Sequence, residues 1–172
     1  MLFRSRIRDT DTEHYVAPAV AGSVFLPIAV TPLIGREAEV TAVVERLLRD
    51  DVRLLTITGP GGVGKTRIAL QATADLREHF TDGAYFINLA PLTDPNLVAV
   101  EIAATLGLAV TPNRPAEDGL IAHLREKRVL VLLDNFEHLA PAAPLLAHLV
   151  KATPQVKLLV TSRVGLGLRG TL

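Results

Sequence analysis

Gly59-Pro60-Gly61-Gly62-Val63-Gly64-Lys65-Thr66 satisfies G-x-x-x-x-G-K-[ST] at every fixed position. Glycines let the backbone turn tightly, so that successive N–H groups point inward at phosphate oxygens. A helix opening near Thr66 turns its positive dipole end toward the same anion. In this pattern Lys65 reaches the β- and γ-phosphates, and the Thr66 hydroxyl ligates Mg²⁺. The pattern carries meaning between a strand and a helix, and both are legible. Residues 54–58 (LLTIT) read as a short buried strand. Residues 66–80 read as a helix with Ile68, Ala69, Ala72, Leu76 and Phe80 on one side.

The flanking text repeats this alternation. Residues 36–50 place Val40, Val43, Val44, Leu47 and Leu48 at helical spacing, with Glu37, Glu39, Glu45, Arg46 and Arg49 off the stripe. Residues 84–89 (AYFINL) predict a second strand, and Asp94-Pro95 a capped helix start that Gly107 stops. A helix is expected over 115–127, weakened by Gly119. A third strand, apolar on both faces, follows over 128–134 (RVLVLLD), then a helix over 144–151 and a fourth strand over 156–161 (VKLLVT). Strands apolar on both faces and alternating with helices predict an α/β fold of three layers, a mostly parallel sheet covered by helices on each side. No internal repeat is present.

Asp134 closes the third strand, where a carboxylate meets Mg²⁺ at the carboxyl edge of a parallel sheet. An Asp that merely caps a turn is the alternative. Lys65 and Asp134 are therefore the candidate catalytic residues, and Thr66 and Asp134 the candidate metal ligands. Asn135 follows where fast ATPases often carry a water-activating carboxylate, and an amide cannot take a proton from water. Glu137 is either a substitute base or a solvated surface residue. Arg163, just past the fourth strand, either touches the γ-phosphate or is an exposed arginine. The five histidines (His14, His79, His123, His138, His148) lack metal-ligand spacing and read as structural. Five Phe and two Tyr make no stacking platform for single-stranded nucleic acid.

Composition narrows the class. The 172 residues fit one domain, and a chain of this size buries roughly 68–70% of its unfolded surface. With 49% hydrophobic and 21% charged residues, disorder is excluded. Eighteen basic residues balance eighteen acidic ones, which argues against a strong non-specific grip on nucleic acid or an anionic membrane. Cysteine is absent, so disulfides, thiolate metal sites and cysteine nucleophiles are excluded, in keeping with a cytoplasmic location. The apolar stretch 16–30 follows Arg4, Arg6 and Arg8. Asp9, Asp11 and Glu13 intervene, however, and Pro18, Gly22 and Pro27 break the run. It falls short of the roughly 20 apolar residues that span a bilayer. Residues 1–31 are expected to be a flexible tether and residues 32–172 the folded core.

Four ordered motifs make the reading more specific: Thr31-Pro32-Leu33-Ile34-Gly35-Arg36-Glu37, then GPGGVGKTR, LVLLDNFEH and LLVTSR. Together they resemble the nucleotide-binding core of the STAND P-loop ATPases. The likeness is closest to the NB-ARC-like module of bacterial LuxR-type and SARP/AfsR-like transcriptional regulators. The resemblance implies the ASCE strand order 5-1-4-3-2, with the fifth strand missing here, and bound ATP or ADP with Mg²⁺. It places Ile34, Gly35 and Arg36 near adenine and ribose. The loop Gly59, Pro60, Gly61, Gly62, Val63, Gly64, Lys65, Thr66 and Arg67 would lie around the phosphates. Asp134 becomes the Walker B acid and Arg163 the sensor. A helical lid, a winged helix, sensor repeats and a DNA-binding domain belong to the full family architecture, so the core is expected to be truncated at its C-terminus.

The leading expectation is thus an ATP/ADP-binding regulatory switch with slow or no hydrolysis, binding neither nucleic acid nor membrane directly. A small phosphotransferase (kinase), an AAA+-type ATPase and a remnant that no longer binds nucleotide are the alternatives. Small kinases usually open with the phosphate loop, whereas residues 32–52 build a helix before it, and no Arg-rich lid follows.

Overall fold

The computed structural model describes Leu26, residues 33–110 and residues 114–167. The expected tether, apart from Leu26, lies outside the described residues, as do Thr31 and Pro32. Among the described residues nine α-helices and β-strands follow in order: α1 (Glu37–Leu48), β1 (Leu54–Thr58), α2 (Lys65–Leu76), β2 (Ala84–Asn88), α3 (Val98–Thr105), α4 (Ala116–Leu124), β3 (Leu130–Asp134), α5 (Ala143–Ala152) and β4 (Lys157–Ser162).

All strand pairings are parallel, in the order β1-β4-β3-β2, which is the expected order over the four strands described. Thr56 is in register with Val160, Val131 with Leu158, and Asn88 with Asp134. Strand periodicity divides the core into two layers. Leu55, Ile57, Leu130, Leu132 and Leu159 meet α1 and α2 through Val43, Leu47, Ile68, Ala72 and Leu76. Leu54, Val131, Leu133, Leu158 and Val160 face the other way, onto Ile102, Leu120, Leu124, Leu146 and Leu149 of α3, α4 and α5. Every residue of β3 is buried, as a strand covered on both faces requires.

The helix boundaries follow local chemistry. Asp94 accepts from the Asn96 N–H with Pro95 as first residue, but it opens a 3₁₀ turn, Pro95–Leu97, that leads into α3. Gly107, at φ 74°, ends that segment by donating to the Ala104 carbonyl. The helix 66–80 becomes α2 plus a 3₁₀ turn, Arg77–His79, with Phe80 buried beyond it. Leu48 departs from the expected α1 stripe: it is 45% exposed, because the buried face runs through Val40, Val43 and Leu47. A 3₁₀ stretch, Glu137–Ala142, with a kink at Leu139 and Pro141 inside, precedes α5 and was not predicted.

Two cations tie the amino edge of the sheet to helix ends. Lys157 at the foot of β4 donates Nζ to the carbonyls of Leu47 (2.5 Å) and Arg49 (2.7 Å) at the end of α1. Arg53 donates Nε to the Val156 carbonyl (3.0 Å) and Nη2 to those of Val150 (2.9 Å) and Thr153 at the end of α5. Orphan carbonyls and the negative dipole end both favour a cation there. These bonds fasten the amino edge of the sheet to α1 and α5.

Candidate functional site

The loop at 59–64 links β1 to α2 at the carboxyl edge of the sheet. Gly62 (φ 81°) and Gly64 (φ 86°) both adopt left-handed backbone, and Gly64 is the N-cap of α2. A Cβ on either would meet no heavy atom within 4 Å, so these glycines serve backbone conformation rather than close packing. The result is a concave turn of main chain, open where side chains would fill it, running into a helix start. Lys65 folds back along this turn, its Nζ donating to the carbonyls of Gly59 (2.8 Å) and Pro60 (2.9 Å). Val63 is half-buried, and Pro60 and Arg67 are exposed.

Asp134 is brought beneath the loop from β3. It is 3% exposed, and its carboxylate accepts three side-chain hydrogen bonds. The hydroxyl of Thr66 donates to Oδ1 (2.8 Å), that of Thr161 to the same oxygen (2.5 Å), and Asn135 Nδ2 to Oδ2 (2.9 Å). A hard carboxylate oxygen beside a hydroxyl, next to a glycine loop that runs into a helix start, is the donor chemistry that suits Mg²⁺ with a nucleotide. The residues present therefore fit that group.

Asn135 is the one described non-glycine residue with positive φ (63°). Its backbone N–H donates to Thr161 Oγ1 (3.0 Å), and its amide also reaches Asn88 Oδ1 at the end of β2 (3.4 Å). Phe136 N–H donates to the Thr161 carbonyl (3.0 Å), so the turn after β3 is fastened to the end of β4. Glu137 and Arg163 face each other across the same edge, with Arg163 Nε 3.0 Å from Glu137 Oε1. The Arg163 guanidinium also lies over the loop, 3.8 Å from where a Cβ on Gly61 would be.

The structure thus brings Lys65, Thr66, Asp134 and Arg163 to one edge. Ile34 stands 83% exposed ahead of α1, Gly35 N–H donates to Glu37 Oε1 (3.1 Å), and Arg36 pairs with Glu39 (3.1 Å). These contacts are with α1. Among the described residues no group of three or more His, Asp or Glu is placed to hold a metal ion. His138 contacts the Leu92 carbonyl (2.6 Å) and His148 pairs with Glu117 (2.5 Å). No helix among the described residues is long and apolar enough to cross a membrane. Sequence reasoning passed over Thr161 and Asn88. The available signal was a hydroxyl or amide at the carboxyl end of a strand.

Comparison with known proteins agrees with this geometry. The family model of the NB-ARC domain matches residues 36–165. An uncharacterized protein of Mycobacterium tuberculosis is 41% identical over 143 residues, 83% of this chain and 36% of that protein. A putative HTH-type transcriptional regulator of the same species is 41% identical over 130 residues, covering 74% of this chain and 14% of that protein. The regulatory protein AfsR of Streptomyces griseus is 34% identical over 150 residues, 81% of this chain and 15% of that protein. The chain spans about a third or less of the length of these relatives. Among solved structures, a Pyrococcus horikoshii STAND protein with a tetratricopeptide repeat sensor superposes with a TM-score of 0.57 at 18% identity. It covers 91% of this chain and 24% of that one. A chain of the Drosophila ORC bound to DNA superposes at 0.63 and 20% identity, covering 94% and 48%. At these identities the structures share the fold.

Proposed function

Because this chain belongs to the NB-ARC domain family, a family of P-loop nucleotide-binding modules, we propose that it works as an ATP/ADP switch within a transcriptional regulator. Residues 32–172 form the module, and residues 1–31 are a tether leading into it. Its partners are the nucleotide and other domains of such a regulator, in the cytoplasm. The observation that carries this reading is the Thr66–Asp134 contact of 2.8 Å beneath the glycine loop, with an amide rather than a carboxylate at 135.

Each residue takes a definite role. Loop N–H groups between 59 and 66, other than at Pro60, and the start of α2 bind the phosphates, and Lys65 leaves its two carbonyl partners for the β- and γ-phosphates. Thr66 and Asp134 supply oxygen ligands to Mg²⁺, which when bound neutralises phosphate charge. Ile34, Gly35 and Arg36 lie against the base and ribose. Arg163, over Gly61, reads the γ-phosphate. Asn135 cannot act as general base, so water activation is weak and hydrolysis slow. Slow turnover suits a switch, whose output depends on differential affinity of two conformations for ATP and ADP.

Calorimetric titration with Mg·ATP and Mg·ADP, alongside Lys65→Ala, tests the reading. Binding that Lys65→Ala abolishes supports it, with turnover well below the roughly 1 s⁻¹ at which typical enzymes begin. A folded chain that binds neither nucleotide, or one that hydrolyses ATP at ordinary enzymatic rates, overturns it.

A further inference from the structure

We infer that Thr161 is the positioning residue of the metal-binding carboxylate, fixing Asp134 and the turn after it so that Mg²⁺ is held together with the nucleotide. The inference rests on the reading of Thr66 and Asp134 as Mg²⁺ ligands.

Three bonds carry it. The Thr161 hydroxyl gives its one proton to Asp134 Oδ1 (2.5 Å) and accepts from the Asn135 N–H (3.0 Å), while its carbonyl accepts from the Phe136 N–H (3.0 Å). One residue of β4 thereby binds three consecutive residues, 134, 135 and 136, at the end of β3 and in the turn after it. Thr161 is 1% exposed and lies on an interior strand, in register with Ile57 of β1, so the clamp is buried and its strand is paired on both sides.

The alternative donors to Asp134 are less fixed. Thr66 shares Oδ1 with Thr161, yet Thr66 must also turn its oxygen to the metal. Asn135 reaches Oδ2 from a left-handed turn that itself depends on the Thr161 hydroxyl. A carboxylate that ligates a metal needs an outer partner to set its orientation, and loss of such a partner typically weakens metal binding by about 10–100-fold. Thr161 also begins the segment that ends at Arg163, so the residue that orients the metal carboxylate and the one lying over the loop share one strand end.

The test measures ADP affinity of the full chain by calorimetry across a Mg²⁺ series and in chelator, for wild type, Thr161→Val and Thr161→Ser. Thr161→Val keeps the shape and removes both hydroxyl bonds. Its apparent Mg²⁺ affinity is expected to fall by about tenfold or more, Thr161→Ser to restore it to within about threefold, and metal-free ADP binding to stay unchanged. Should Thr161→Val not fold, Thr161→Cys, a weaker donor, is expected to fall between wild type and that loss. A Val or Cys variant with wild-type Mg²⁺ dependence, or one that weakens metal-free and metal-bound ADP alike, overturns the inference. A wild-type chain whose ADP affinity ignores Mg²⁺ overturns the underlying assignment of Thr66 and Asp134, and the inference with it.

Discussion

Thr66 Oγ1 lies 2.8 Å from Asp134 Oδ1, joining the start of α2 to the end of β3 across 68 positions of sequence. Both groups are hard oxygen donors, and neither stabilises the apolar core. Asp134→Asn keeps the volume and one oxygen but removes the charge. It is expected to weaken Mg²⁺-dependent nucleotide binding by about 10–100-fold while leaving binding in chelator nearly unchanged. Titration of ADP with and without Mg²⁺ measures both, and equal losses would remove the metal-ligand role.

Arg163 pairs with Glu137 at 3.0 Å and is 67% exposed, so the pair contributes less than about 1 kcal/mol to stability. Its value lies in what else the guanidinium can reach over Gly61. Arg163→Ala is expected to lower the ATP-to-ADP affinity ratio by about tenfold, the worth of one charge-assisted hydrogen bond, at unchanged melting temperature. Glu137→Gln, which releases the guanidinium, is expected to raise the same ratio. Parallel weakening of both nucleotides by Arg163→Ala would show that Arg163 does not sense the γ-phosphate.

Much of this was written locally in the chain. The third strand was legible because RVLVLLD is too apolar for a surface strand and ends on a single charge, and the loop at 59–66 because its glycines and Lys-Thr sit at fixed spacing. The turn after β3 was not. Its form depends on Thr161 bonding Asp134, Asn135 and Phe136 from a strand that neighbours β3 only after folding. The 3₁₀ stretch Glu137–Ala142 carries no helical period and contains Pro141, so pattern alone could not find it. Leu48 joined the α1 stripe by spacing, yet the sheet meets that helix along the Val43–Leu47 line and leaves it in solvent.

Asn135 holds φ at 63°, a region that costs a residue with a Cβ about 1 kcal/mol or more relative to glycine. Elsewhere Ala outranks Gly in stability; here the order is expected to reverse. Asn135→Gly should be more stable than Asn135→Ala by about 1 kcal/mol, and both should fall below wild type through loss of the bond to Asp134 Oδ2. Urea midpoints of the three proteins decide it, and Ala above Gly would contradict the left-handed turn.

His123 carries the pH dependence that the structure makes explicit. Partial burial, and then the charge of Lys127 with Nζ 2.7 Å from its Nε2, hold its pKa below the usual 6.5. A depressed folded-state pKa means the unfolded chain takes up the proton first. The stabilising contribution is therefore complete above pH 6.5 and is lost as pH falls through the folded value. Melting temperatures from neutral pH to about pH 5 should drop less for His123→Gln than for wild type. Equal slopes would assign the acid sensitivity elsewhere.

Thr56 is the reverse of Thr161. Among the described residues its hydroxyl is the buried side-chain polar atom with no hydrogen-bond partner, in the middle of β1 and fully buried. Leu55 and Ile57 on either side face α1 and α2, which leaves Thr56 on the opposite, equally apolar layer with Leu54. Valine reproduces the shape of threonine, prefers strands and removes a desolvated hydroxyl that gains nothing in return. Thr56→Val is expected to be neutral or stabilising by up to about 1 kcal/mol, whereas Thr161→Val strips a donor from a buried carboxylate and is expected to destabilise by about 1–3 kcal/mol. The same chemical change, made at two positions of the same sheet, should thus move the urea midpoint in opposite directions or not at all at 56, with the dependence on urea unaltered. A loss above about 1 kcal/mol at Thr56 would mean that its hydroxyl has a partner that orders the β1 layer.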